Sequence, residues 1–115
     1  MSLDILQQLG LSPNEAKIYD ALLDLKEAGV SKISSSTDIY RRNVYDAVNR
    51  LVDKNLIYPV LTGGENVYAP VEPERLLDIV REQEAGLSKV LPGLREKNYQ
   101  REDRQEAYIY RGVEG

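Results

Sequence analysis

Helical periodicity fills the first 55 residues in short pieces, and at Asn55 it gives way to extended, turn-punctuated sequence. A chain patterned this way must pack a few small helices together and cover one side of them with strands. Leu3, Ile5, Leu6 and Leu9 recur at helical spacing and stop at Gly10, a glycine C-cap. In the run Leu11-Ser12-Pro13-Asn14-Glu15, Ser12 is placed to cap the next helix. Pro13 fits the first helical position, Glu15 completes a capping box and Leu11 is set for a hydrophobic staple. That helix carries Ala16, Tyr19, Leu22, Leu23 and Leu25 inward and is expected to end near Ala28-Gly29. Ser31 is expected to cap a short second segment holding Ile33 and Ile39. The third helix spans Tyr40 to Asn55. At about 100° per residue, its Val44, Ala47, Val48 and Leu51 converge on one face and Arg42, Asp46, Asn49 and Asp53 on the other.

Beyond Asn55, Leu56 to Leu61 is β-prone, Thr62-Gly63-Gly64-Glu65 is a turn and Asn66 to Pro70 is again extended, which predicts a β-hairpin. Pro59 confines the first strand to a sheet edge or a bulge, because it has no N–H for a ladder. Glu72-Pro73-Glu74-Arg75 opens a long helix with acidic residues at its positive end. Leu76, Val80, Gln83, Leu87, Val90 and Leu94 then alternate steps of four and three, the stripe of a two-stranded coiled coil with one polar seam residue, the alternative being a stripe packed against the first helix of its own chain. Pro92 and Gly93 are expected to kink or fray this helix. Asn98 to Glu106 reads as a charged linker, and Ala107 to Val113 as one lone strand.

The fold class that follows is mainly α with a small β-hairpin: a winged helix-turn-helix over residues 1–71, then a coiled-coil-like dimerisation helix over 72–98. Residues 99–115 form a linker and terminal strand. At 115 residues, one modest core is all the chain can bury. It holds no cysteine and no histidine, so disulfides, Cys/His zinc sites and Cys-His or Ser-His catalysis are excluded. No enzymatic activity, metal or cofactor is expected. The carboxylates Glu72, Glu74, Asp78, Glu82 and Glu84 are scattered by helical spacing and suit the helix dipole or solubility. With no long apolar run and no secretory signal pattern, a cytoplasmic protein without a membrane partner is expected.

The net charge of −4 argues against nucleic acid, but its distribution does not. Residues 1–30 hold two basic and five acidic side chains, whereas residues 41–54 hold four basic and two acidic. Three helices with a hairpin behind them, the third apolar on one face and rich in Arg and Asn on the other, suit a helix placed in a major groove. In that role Arg42 pairs with guanine, and Asn43 or Asn49 pairs with adenine or donates to phosphate. Asp46 accepts from cytosine or orients Arg42 or Arg50. Arg41, Tyr45, Arg50, Ser34 and Ser35 suit sugar-phosphate contacts. In the wing, Thr62 and Asn66 are available, while Glu65 would repel phosphate. The bland alternatives are an ordinary solvated face for the arginines and serines, and a core-rim place for Tyr45.

The stretch from Leu9 to Leu23, with its Gly10-Leu11-Ser12-Pro13-Asn14-Glu15-Ala16 opening, resembles the first helix pair of the TrmB-like transcriptional regulators. Arg41 to Val48 through Leu51 resembles their recognition helix, Tyr68 to Pro73 their exit from the wing, and Tyr108 to Gly115 the first strand of their sugar-sensing domain. The resemblance implies a regulator of sugar or other metabolic genes that binds double-stranded DNA as a homodimer. The sequence departs from the family in lacking its effector domain, which is expected of either a truncated piece of a longer regulator or a natural short form, and no small-molecule effector is expected in this short chain. Thr37-Asp38 departs from the small residue and glycine common at the family's turn. A winged-helix protein-interaction module that does not bind DNA is the competing reading, motivated by the net acidity and Glu65.

Overall fold

A computed structural model describes the backbone of residues 3–105 and the side chains of 3–100. The described elements are helices α1 (Asp4–Gln8), α2 (Pro13–Leu25), α3 (Val30–Thr37) and α4 (Arg41–Asp53), strands β1 (Ile57–Val60) and β2 (Val67–Pro70), and helix α5 (Glu74–Gln105). The mainly helical winged helix-turn-helix, with its hairpin wing and long final helix, is as the sequence predicts.

The capping box forms in full at the start of α2. The Ser12 hydroxyl accepts from the Glu15 N–H at 3.1 Å, and the Ser12 N–H donates to Glu15 Oε1 at 3.1 Å. The helix stops at Leu25, short of Ala28-Gly29, because Lys26 adopts a positive φ of 76°. The residues released from the helix are used in the sheet: the Ala28 and Tyr68 backbones exchange hydrogen bonds of 3.0 and 2.9 Å. β2 is thereby flanked by β1 on one side and Ala28 on the other, which leaves β1 at the edge. Pro59 lies in that edge strand opposite Tyr68, where its missing N–H costs no ladder bond.

Helix α3 starts at Val30 with Gly29 as its N-cap, not at Ser31 as expected. Its exit is fixed by hydroxyls. Thr37 Oγ1 donates to the Ile33 carbonyl at 2.7 Å, and Ser34 Oγ donates to the Ile39 carbonyl at 2.6 Å. Asp38 supplies the left-handed residue of the turn, with φ 60°, a conformation that Asp tolerates better than most residues. The turn therefore forms without the glycine that the resemblance leads one to expect there.

Val44, Ala47, Val48 and Leu51 of α4 are buried, as its periodicity requires. They meet Tyr19, Leu22 and Ile18 of α2, Ile33 of α3, and Leu56 and Ile57 in one core. Ile18, which the inward set above omits, is fully buried, while Leu23 and Leu25 are only partly so. Asn55, with φ 62°, turns the chain out of α4 toward the hairpin. The far end of the hairpin is tied back twice, by Tyr19 Oη donating to the Val71 carbonyl and by the Val71 N–H donating to Leu56, each at 2.8 Å.

The chain divides into two units, residues up to Ile79 and residues from Val80 onward. In the first, Leu76 and Ile79 of α5 pack against the core, so Leu76 spends its apolar surface within its own subunit. In the second, the described side chains are exposed apart from a half-buried Leu91. The helix runs without fraying through Pro92 and continues across residues 98–105, where a linker was expected. Pro92 has no N–H for the carbonyl one turn back, but on an exposed helix water satisfies that carbonyl. The expected terminal strand, 107–113, lies outside the described residues.

Candidate nucleic-acid interface

Because Val44, Ala47, Val48 and Leu51 fix which side of α4 faces the core, the opposite side must face outward. Arg41, Arg42, Asn43, Tyr45, Asp46 and Asn49 are all exposed. Tyr45 is half exposed, and Tyr40 just ahead of the helix is 82% exposed. The N-terminus of α4 has no side-chain cap, so its first N–H groups point outward beside Arg41 and Arg42. Arg42, Asp46 and Asn49 are thus presented opposite the core, with Arg41, Asn43 and Tyr45 on the flanks of that face, groups suited to phosphates and to base edges.

Other expected site residues have structural duties. Ser34 holds the turn through Ile39, and Ser35 Oγ donates to the Lys32 carbonyl at 3.2 Å. Thr62 Oγ1 donates to the Glu65 carbonyl at 2.8 Å and accepts from the Gly64 N–H at 3.4 Å, so it closes the wing turn in which Asn66 is exposed. The Glu65 carboxylate lies over Gly29, where an added Cβ would stand 2.6 Å from its Oε2. It therefore sits at the N-terminus of α3, where a helix favours negative charge.

Asp46 forms no ion pair with Arg42 or Arg50 among the described residues. Arg50 instead turns to Glu15, which is 1% exposed, and its Nε donates to Oε2 at 2.7 Å. Lys54 Nζ donates to Glu15 Oε1 at 2.5 Å and to the Gly10 carbonyl at 3.0 Å. This cluster ties the start of α2 to the C-terminal end of α4. Sequence reading finds Glu15 as a capping residue but misses its partners. The available signal is Arg50 and Lys54 four apart on the flank of α4 between its buried and outer faces.

Burial pushes the Glu15 carboxyl upward, but donors from Lys54, the Ser12 backbone and Arg50, with the Lys54 charge, outweigh it and hold the group below its ordinary 4.5. A folded-state value below the unfolded one means that Glu15 stabilises the fold above the unfolded value, and that this stability is lost as pH falls through the folded value. We therefore expect Glu15→Gln to lower stability at pH 7 by about 2 kcal/mol. That is less than for a fully buried pair, because Arg50 and Lys54 are free to turn to water. Denaturant unfolding at pH 7 and pH 3 measures both: the variant's deficit should shrink in acid.

Among the described residues there is no helix long and apolar enough to cross a membrane, and no group of three acidic, His or Cys side chains able to hold a metal.

Comparison with known proteins decides the family. The family model described as sugar-specific transcriptional regulator TrmB matches residues 6–74, which covers the helix-turn-helix, the wing and the start of α5. This chain belongs to the TrmB family. The HTH-type sugar sensing transcriptional regulator TrmBL1 of Pyrococcus furiosus is 31% identical over 77 residues, covering 67% of this chain and 22% of that protein. Among solved structures, TrmBL2, described as an archaeal chromatin protein with a novel mode of DNA binding, superposes with a TM-score of 0.71 at 21% identity. That match covers 97% of this chain and 45% of TrmBL2. A possible transcriptional regulator from Methanosarcina mazei superposes with a TM-score of 0.60 at 18% identity, over 77% of this chain and 83% of that one. This TrmB-family chain thus spans under a quarter of TrmBL1 and under half of TrmBL2. The family is one of transcriptional regulators, not of enzymes.

Proposed function

We propose that this TrmB-family chain binds double-stranded DNA in a sequence-specific way as a homodimer, regulating sugar or other metabolic genes. The single observation that carries the reading is the division of α4: four side chains locked in the core and an outer face of exposed Arg, Asn and Tyr. On this reading Arg42 pairs with guanine, Asn43, Asp46 and Asn49 meet neighbouring base edges, and Arg41, Tyr45 and Arg50 contact the backbone. Glu65 was one of two reasons to favour a module that does not bind DNA, and its place over Gly29 weakens that reason. The family's association with sugars and the name of TrmBL1 support the metabolic assignment.

The homodimer rests on α5. Val80, Leu87, Val90 and Leu94 are 40%, 56%, 55% and 50% exposed, and with Gln83 they form one heptad stripe. Pairing two such stripes removes apolar surface from water that a single helix leaves wet. Sedimentation is expected to give a dimer, and Leu87→Lys a monomer; a monomeric wild type overturns the dimer.

A titration of fluorescent duplexes against the protein tests DNA binding. Arg41 and Arg50 in two subunits make about four phosphate-neutralising groups, so affinity should fall about a hundredfold between 50 and 200 mM salt. No binding at low salt, even to fragments flanking the protein's own gene, would overturn the proposal.

A further inference from the structure

The grip on Arg50 has an asymmetry that matters for DNA. Glu15 engages only Nε, and no hydrogen bond or ion pair among the described residues uses the two terminal nitrogens of Arg50. The Arg50 side chain is 53% exposed, whereas that of Glu15 is 2% exposed. Lys54, on the other carboxylate oxygen, already neutralises Glu15. Two cations around one buried carboxylate leave one net positive charge at the surface, and Arg50 is the more exposed of the two carriers. Helical geometry puts Arg50 on the flank of α4 adjoining Asp46, at the border of the outer face.

A planar guanidinium fixed through Nε has its terminal N–H groups aimed in one direction, and such a fork matches two phosphate oxygens. We propose that Glu15 is a positioning residue for DNA: it orients Arg50 so that the terminal nitrogens clamp a backbone phosphate beside the recognition helix. This rests on the reading of α4 as a DNA-binding helix and adds to it a residue on α2 that touches no DNA. Pre-orientation removes the cost of ordering a long side chain on binding, so its loss lowers affinity even when the charge of Arg50 is kept.

The test is duplex titration of the full chain as wild type, Glu15→Gln, Arg50→Ala, the double variant and Arg50→Lys, with thermal melts to verify that each is folded at the working temperature. Arg50→Ala is expected to lose about tenfold in affinity and about one unit of salt slope per subunit. Glu15→Gln should lose several-fold alone and nothing further in the Arg50→Ala background, since the two act through one contact. Arg50→Lys, which leaves Glu15 intact, should recover only part of what Arg50→Ala loses, because an ammonium keeps the charge but is a point charge without the rigid fork that anchoring through Nε orients. Equal losses from Glu15→Gln in both backgrounds, or wild-type affinity for Arg50→Lys, would overturn the proposal and leave DNA binding standing. Absence of binding by the wild type would instead remove the reading on which it rests.

Discussion

Reversing the charge at Arg42 (Arg42→Glu) is expected to lower duplex affinity by roughly a hundredfold, through loss of a base contact worth ~1–3 kcal/mol and added repulsion from phosphate. Arg42 is exposed at the N-terminal end of α4, and no ion pair or hydrogen bond among the described residues occupies it, so the fold should not register the change. Fluorescence anisotropy measures the affinity, and circular dichroism and sedimentation should give wild-type melting and an unchanged dimer. Arg42→Ala should show a smaller loss with relaxed preference at one base position. A general loss of affinity at unchanged sequence preference would move Arg42 from base reading to backbone binding.

The largest expected effect on stability is at the other face of the same helix. Leu51 is fully buried among the residues that join α4 to α2 and the hairpin. Leu51→Ala removes its transfer energy and leaves a cavity, so a loss of about 3 kcal/mol is expected by denaturant unfolding. Against a total of roughly 5–15 kcal/mol for a small domain, that is a large fraction. DNA affinity should fall only as far as the folded fraction falls. A pair of variants about two and a half turns apart on opposite faces, Arg42 outward and Leu51 inward, separates reading from folding on one helix.

Local chemistry in the sequence was sufficient for several features. Ser12, Pro13 and Glu15 announce the start of α2 because capping needs nothing beyond neighbouring residues. The two faces of α4 follow from spacing alone, and Pro59 marks an edge strand because a missing donor has the same consequence in any sheet. What was not legible depends on partners distant in sequence. Lys26 ends α2 early, against the usual preference for glycine at positive φ, and Ala28 is then free to pair with Tyr68. Gly29, not Ser31, begins α3, beneath a Glu65 carboxylate that arrives from the wing. Continuity through Pro92 could not be read from propensity, which penalises proline inside a helix by about 3 kcal/mol.

In the candidate site the division is similar. Arg41, Arg42, Asn43, Tyr45, Asp46 and Asn49 stand where helical geometry puts them. Ser34 and Thr62 do not stand free, because short hydroxyl side chains bond to nearby carbonyls and amides before they reach outward. Arg50 has a partner 35 residues away in sequence, which no local pattern encodes.

Selection of bound sequences from a random duplex pool tests the central claim, that the outer face of α4 reads DNA, most directly. Enrichment of a short motif in two symmetry-related half-sites is expected, with guanine or adenine positions whose preference weakens in Arg42→Ala and Asn49→Ala. Retention of DNA with no enriched motif, or a motif unchanged in both variants, would contradict it.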